Sequence, residues 1–245
     1  MKSFFIDIFR RNIYLLLVAF VLFLSGYFLN LYFNSDASVA VQRNSIQSFL
    51  QEREFDFEKV AGDTALLHRL ISRQYSAKEL EKIDDKKYGL FLYRTDSLGV
   101  ADSLRFWNDQ RSLPTQALEK GPDGAGFIQL SNGQYEYIRK TVIGPDGKPL
   151  VAIALIPIRW QYYIATSNLT PEFVDNPAAE VRVSIETTPT EFPVKSRRGP
   201  ALFYLQKKPN YHASAHNWQI PMAILFGLLL ILIIIHNIAH TVRER

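Results

Sequence analysis

The chain has 245 residues, of which 47% are hydrophobic and 21% are charged, so its average composition is that of an ordinary globular protein. It contains no cysteine, which excludes disulfides, thiolate catalysis and cysteine-based zinc or iron–sulfur sites. Five of its 28 basic and two of its 24 acidic residues lie outside two apolar terminal segments, and the near balance of charge between those segments predicts no nucleic-acid partner.

The first apolar segment, Ile13–Phe33, has no charged side chain. As a helix it would cover about 30 Å, the thickness of the hydrocarbon core of a bilayer. A cleaved signal peptide is the alternative, and Ala37 and Ala40 keep it open. Because a signal peptide has a shorter apolar core and no small-residue cleavage pattern follows directly, we predict an uncleaved membrane helix.

The second apolar segment is Pro221–Ile238, and Trp218 before it suits a membrane interface. Basic residues lie at the outer end of each segment: Lys2, Arg10 and Arg11 before the first, and Arg243 and Arg245 after the second. The positive-inside rule therefore places both termini in the cytoplasm. The predicted organisation is a cytoplasmic tail (1–12), a transmembrane helix (13–33), an extracytoplasmic domain (34–217), a transmembrane helix (218–238) and a cytoplasmic stub (239–245).

The outer domain begins with helical patterns. Apolar residues three, four or seven positions apart in Ser35–Val60 predict an amphipathic helix. Asp63 or Thr64 can cap a second helix that ends near Gln74. Ser76 followed three residues later by glutamate is a capping-box pattern, which predicts a short third helix ending near Ile83.

The hydrophobic period then becomes that of β-strands. Asn132–Gly133 between two alternating segments predicts a hairpin in which both turn residues have positive φ. The predicted strands are Tyr88–Thr95, Leu104–Trp107, Phe127–Leu130, Gln134–Ile143, Leu150–Ile158, Val181–Thr187 and Leu202–Gln206, with a short helix over Pro114–Lys120. We therefore predict an α+β domain that begins with helices and has a mainly antiparallel sheet containing a three-stranded meander.

Several segments resemble a known family. GLFLYRTDSLGVADSLRFWND, LSNGQYEYIRK, ALIPIRWQYYIATSNLTPEF and GPALFYLQKK are similar, in this order, to extracytoplasmic input regions of Bacteroidetes sensor histidine kinases. The resemblance covers most of Tyr88–Lys208, although Asn108 stands where the family usually has serine. It implies a periplasmic sensor domain of PAS-like or Cache-like fold, held by two membrane helices in the bacterial inner membrane.

The family would continue into a phosphoacceptor helix and an ATP-binding domain, whereas this chain runs seven residues past the second span. We therefore expect it to be a fragment or a stand-alone relative, without kinase activity of its own. The resemblance also implies a homodimer formed through the Ser35–Val60 helix. The other expected partners are the lipid bilayer and a small-molecule or periplasmic protein ligand.

Aromatic and arginine side chains on the predicted strands suit a pocket for an organic anion. The candidate ligand-binding residues are Trp107, Tyr135, Tyr137, Arg139 and Arg159. The alternative is that the aromatic residues belong to the core and that Arg139 lies on the surface. The pairs His212 with His216 and His236 with His240 have a metal-ligand spacing but no third ligand, so we predict no metal, no cofactor and no catalytic residue.

The leading hypothesis is a sensor module of a two-component system, which passes a periplasmic stimulus across the membrane by helix displacement. The alternative is a structural or accessory membrane protein whose outer domain binds a partner complex. A membrane-tethered enzyme is a third and weaker hypothesis, because no catalytic motif is present.

Overall fold

The computed structural model describes residues 2–96, 100–144, 146–162, 169–197, 199–212 and 217–243. The chain forms two compact units. One consists of Met1–Ser38 with Lys208–Arg245, and the other is Val39–Lys207.

The first unit contains two long apolar helices, α1 (Lys2–Asn34) and a C-terminal helix, α6 (Gln219–Arg243). The segments Asn12–Asn34 and Gln219–Arg243 are long and apolar enough to cross a membrane. In a soluble protein such helices would be mostly buried, whereas only 17% and 11% of their most apolar windows are buried here. The apolar side chains therefore face outward, as a lipid environment requires.

Small and polar side chains mediate the packing of α1 on α6. A Cβ at Gly227 would lie 2.9 Å from the ring of Phe23, so glycine allows the two helices to approach closely. Asn237 donates a hydrogen bond to Asn12 across the pair (3.1 Å), and Asn12 is buried. Polar side chains of neighbouring helices in a membrane commonly form hydrogen bonds of this kind.

The second unit begins with the three helices that the sequence predicts. They are α2 (Asp36–Gly62), α3 (Thr64–Ser72) and α4 (Ala77–Asp84). Asp63 caps α3 by accepting a hydrogen bond from the backbone N–H of Leu66 (2.9 Å). Ser76 and Glu79 form the predicted capping box at the start of α4. The predicted short helix is α5 (Gln116–Lys120).

Two antiparallel sheets follow, and the general α+β prediction is confirmed. The larger sheet has the strand order β2-β1-β5-β4-β3, with β6 paired to the end of β5, and the smaller has the order β7-β9-β8. The strands are β1 (Gly89–Thr95), β2 (Ala101–Trp107), β3 (Gly124–Leu130), β4 (Gly133–Ile143), β5 (Pro149–Trp160), β6 (Glu172–Phe173), β7 (Val183–Glu186), β8 (Phe192–Lys195) and β9 (Ala201–Lys207). The predicted meander is β3-β4-β5.

The hairpin between β3 and β4 is confirmed, but its turn differs from the prediction. Leu130 pairs with Gly133, so the turn residues are Ser131 and Asn132. Asn132 does not have the predicted positive φ. Gly133 is required for a different reason, because a Cβ there would lie 2.4 Å from the carbonyl oxygen of Arg159 on the neighbouring strand.

Each face of the larger sheet carries its own core. On one face the apolar stripe of α2, which includes Ile46, Leu50 and Phe57, packs into a cluster shared with both sheets. The opposite face carries a smaller cluster that includes Leu118 of α5. The α2 stripe that suggested dimerisation is thus buried within its own domain. The homodimer itself stays a prediction.

The sequence did not predict β6, β8 or the short 3₁₀ helix Pro177–Ala179. Strand β6 has two residues, and β8 contains Pro193, which cannot donate a hydrogen bond to a neighbouring strand. Strand β8 nevertheless forms at the edge of the small sheet, where Lys195 is held by α2: its N–H donates to Gln47 (3.0 Å) and its carbonyl accepts from Gln51 (3.2 Å).

Candidate functional site

The five candidate ligand residues lie in three different places. Tyr135, Tyr137 and Arg139 are on β4 and point to the sheet face that carries α5. Arg159 is near the end of β5, and Trp107 is at the end of the edge strand β2. They therefore do not line one common pocket.

Trp107 lines an open groove at the sheet edge, with a volume of about 490 Å³. Its indole is 43% exposed, which is unusual for tryptophan in a folded domain. The groove is formed by α3, α4 and β2 together with the residues that follow them. Its lining residues are Arg73, Tyr75, Leu80, Asp84, Arg105, Phe106, Trp107, Asn108 and Gln110.

Local backbone features shape this groove. Arg73 ends α3 in the left-handed conformation (φ 58°), and its N–H donates to the carbonyls of Arg69 and Leu70. This cap turns the chain so that Tyr75 packs edge-on against Phe106 of β2, with ring centroids 6.0 Å apart. The aromatic pair gives the groove an apolar wall.

Two cations lie on the same groove. Within the described part of the chain, Arg73 and Arg105 form no ion pair, and Asp84 is the one acidic residue in the lining. Guanidinium groups bind carboxylates and phosphates through paired hydrogen bonds, and an exposed indole offers a flat apolar surface beside them. The groove is therefore suited to an organic anion with a planar apolar part.

The side chains of Tyr135 and Arg139 serve the structure of the domain. The hydroxyl of buried Tyr135 donates to the side-chain oxygen of Asn132 (2.9 Å) and lies 3.2 Å from the hydroxyl of Ser112, and burial raises its pKa. Arg139, only 6% exposed, pairs with Asp123 and donates to the carbonyl of Glu119 (3.3 Å). The bonds of Arg139 hold the α5 segment on the sheet. The alternative that these aromatic residues belong to the core fits Tyr135, whereas the alternative that Arg139 lies on the surface does not hold.

Tyr137 and Arg159 are likewise engaged within the domain. The ring of Tyr137 lies over Gly126 on β3, where a Cβ would come within 2.9 Å of it. Arg159 forms a two-bond ion pair with Glu180, in which both nitrogen–oxygen distances are 2.7 Å. That pair joins β5 to the end of the 3₁₀ helix, next to buried Ala179.

Sequence reasoning missed the arginines of the groove, Arg73 and Arg105. Arg73 follows a helix and Arg105 lies on an edge strand, so neither belongs to a motif. The turn between α3 and α4 brings them to one groove.

The histidine pairs offer no metal centre among the described residues, where no group of three or more His, Cys, Asp or Glu side chains could hold an ion. His236 and His240 lie on α6, with ring centroids 6.3 Å apart. His216, the predicted companion of His212, lies outside the described residues.

Comparison with known proteins adds no assignment: no family model, no curated protein and no solved structure matches the chain.

Proposed function

We propose that the chain is the membrane-anchored sensor module of a two-component system, which passes an extracytoplasmic stimulus across the membrane by helix displacement. One observation carries the proposal: an α+β domain lies in the chain between two helices that are long and apolar enough to span a membrane. Only Ser35 separates α1 from α2, so a rearrangement of the domain has a short covalent route to the membrane helix.

The proposed topology follows from charge. Basic residues lie at the outer end of each apolar helix, so both termini are assigned to the cytoplasm of a bacterial inner membrane, and the domain to the periplasm. Reporter fusions after Arg243 and within the domain test this assignment. A cytoplasmic reporter should be active only at the C-terminal site, and the reverse pattern would contradict the topology.

The strand order supports a PAS-like or Cache-like fold. The larger sheet is antiparallel, with the order β2-β1-β5-β4-β3, and it follows helices α2–α4. The fold class supports sensing only by analogy, because one fold carries many functions.

The groove beside Trp107 is the proposed input site for an organic anion. Arg73 and Arg105 would bind the acidic group, and the indole would cover the planar part of the ligand. The test is a thermal-shift screen of the full chain in detergent against aromatic and aliphatic carboxylates. A ligand present at 100 times its Kd stabilises the folded state by about 2.7 kcal/mol.

Variants assign such a shift to the groove. Arg105→Ala and Trp107→Ala should each remove the ligand-induced rise in melting temperature while leaving the unliganded value nearly unchanged, since both side chains are exposed. Arg94→Ala is the matched control, because Arg94 is an exposed arginine on β1 outside the groove. An equal loss of the ligand-induced rise in melting temperature in Arg94→Ala would mean that the ligand binds by charge alone.

The signalling role needs a separate experiment. The chain is fused after Arg245 to a histidine kinase core, and kinase output is measured with and without the ligand found in the screen. Output that does not change when Tyr88–Lys208 is deleted would refute the sensor proposal. Co-purification of a stoichiometric partner in detergent, with no change in output, would favour the accessory-protein alternative.

A further inference from the structure

Two carboxyl groups meet in the interior of the outer domain, between helix α2 and the larger sheet. Glu136, on the interior strand β4, has no exposed surface, and Glu54, on α2, is 5% exposed. Both side chains enter the core that α2 and the larger sheet share, and Glu54 is close enough to raise the pKa of Glu136. Glutamate is rarely buried to this extent unless a partner compensates its charge.

The surroundings of Glu136 are apolar. In the sheet its neighbours are Phe127 on β3 and Ile156 on β5, which point to the same face. Phe203 of β9 packs against Phe127, with ring centroids 5.4 Å apart, and so extends the cover over this face. Such an environment strongly disfavours an ionised carboxylate.

The two glutamates differ in their hydrogen-bond donors. One oxygen of Glu54 accepts from the hydroxyl of Ser196 (3.0 Å) and from the backbone N–H of Arg197 (2.8 Å). Its other oxygen and both oxygens of Glu136 have no hydrogen-bond donor among the described residues. Glu54 can therefore hold a negative charge, whereas Glu136 has nothing to stabilise one.

The charged side chains described near the pair do not compensate a negative charge on Glu136. Facing Glu136, α2 contributes Glu54, and the sheet neighbours on β3 and β5 are the apolar side chains already named. The guanidinium of Arg197, in the segment after β8, pairs with Glu58 instead. Burial first, and then the nearby carboxylate of Glu54, raise the pKa of Glu136 well above its ordinary value of 4.5.

We propose that Glu54 and Glu136 bind one proton between them, and that this proton holds α2 on the sheet. A single O–H from Glu136 to the free oxygen of Glu54 satisfies an oxygen of each carboxyl group. Removal of the proton would leave two buried negative charges facing each other, which is relieved when α2 moves away. The domain thus takes a proton as a ligand at the contact between its first helix and its sheet.

The pH dependence has a definite sign. Since the folded domain holds the proton more tightly than the unfolded chain, its stabilisation is complete below pH 4.5, the ordinary pKa, and is lost as the pH rises through the raised pKa of Glu136. This inference concerns the folded domain alone. It stands or falls separately from the signalling role and from the groove.

The direct test is infrared spectroscopy of the full chain in detergent at about pH 7, with carbonyl-labelled glutamate. A protonated carboxylic acid gives a C=O band separate from the carboxylate bands, and the label assigns it to glutamate. We expect the band in the wild type and its loss in Glu136→Gln, which keeps the shape and a hydrogen-bond donor. The exposed control Glu81→Gln should leave it unchanged. Absence of the band in the wild type, or its survival in Glu136→Gln, would overturn the proposal.

A second measurement does not depend on that variant folding. In Glu54→Gln the band should persist but shift in frequency, because the acceptor of the Glu136 proton changes. An unshifted band would show that the two residues do not share the proton. In the wild type, the unfolding constant should rise by up to about tenfold per pH unit above pH 5, as expected for one linked proton. A flat profile through neutral pH would also contradict the proposal.

Discussion

Asn108 joins the end of β2 to two other elements, and Asn108→Ala should destabilise the outer domain. The side-chain oxygen of Asn108 accepts from the backbone N–H of Leu90 (2.6 Å). Its amide nitrogen donates to the carbonyl of Ile83 at the end of α4 (2.8 Å) and to that of Tyr88 (3.3 Å). Alanine can replace none of these bonds.

The expected cost follows from the bonds that are lost. A net hydrogen bond contributes about 1 kcal/mol, and a buried N–H left without a partner costs about 1–3 kcal/mol. Leu90 is fully buried, so water cannot readily take the place of the asparagine oxygen. Together these losses lower the free energy of unfolding by about 3 kcal/mol, equivalent to about 6–12 °C in melting temperature for a domain of this size.

Near-UV circular dichroism of the full chain during heating in a mild detergent measures this effect, because the signal reports on packed aromatic rings of the outer domain. Asn108→Ser keeps a single short hydroxyl and should lose about half as much as alanine. Gln110→Ala is the control, since Gln110 is an exposed amide two residues away. A loss in Asn108→Ala no larger than in this control would refute the bridging role of Asn108.

Three further changes test other contacts. Gly133→Ala places a Cβ against the carbonyl of Arg159, backbone against backbone, and should cost about 2–3 kcal/mol in a thermal melt. Arg159→Met removes the two-bond ion pair with the largely buried carboxylate of Glu180, and should cost about 3 kcal/mol by denaturant titration. Asn237→Leu removes the hydrogen bond to Asn12 and should weaken the helix pair by only about 0.6 kcal/mol, measured by unfolding in increasing SDS.

Each change has a control within the chain. Gly124→Ala should be nearly neutral, because nothing lies within 4 Å of a Cβ there. A loss of stability equal to that of Gly133→Ala would mean that the close contact at Gly133 is not the cause of its cost. The double variant Arg159→Met with Glu180→Gln should recover part of the loss, and strict additivity would show that the pair is not coupled. A loss above about 2 kcal/mol for Asn237→Leu would show that the helix pair depends on this bond more than is usual in membranes.

Much of the secondary structure was predictable because its signals are local. The capping box at Ser76 and the cap at Asp63 depend on residues three positions apart, and both form as expected. The strand pattern of Leu150–Ile158 likewise predicts β5, which is buried on both faces. The Asn132–Gly133 signal gave the hairpin but the wrong turn residues, because the approach of the neighbouring strand at Gly133 also decides the geometry.

The site was much less predictable. Alternation along β4 places Tyr135, Tyr137 and Arg139 on one face, with Glu136 on the other. The sequence offered the aromatic face only as a candidate binding surface and gave no reason to single out Glu136. That residue became notable only because α2 and the second sheet cover the other face and leave its carboxyl group without donors.

The sequence by itself determined the two apolar helices, the order of the elements between them and the near neutrality of that region, because charge, hydropathy and capping are properties of neighbouring residues. Only the tertiary structure decided which side chains meet. The strand order separates Trp107 from Tyr135, the turn after α3 gathers arginines around Trp107, and the docking of α2 places Glu54 near Glu136. Those encounters join residues far apart in the chain, so no local pattern encodes them.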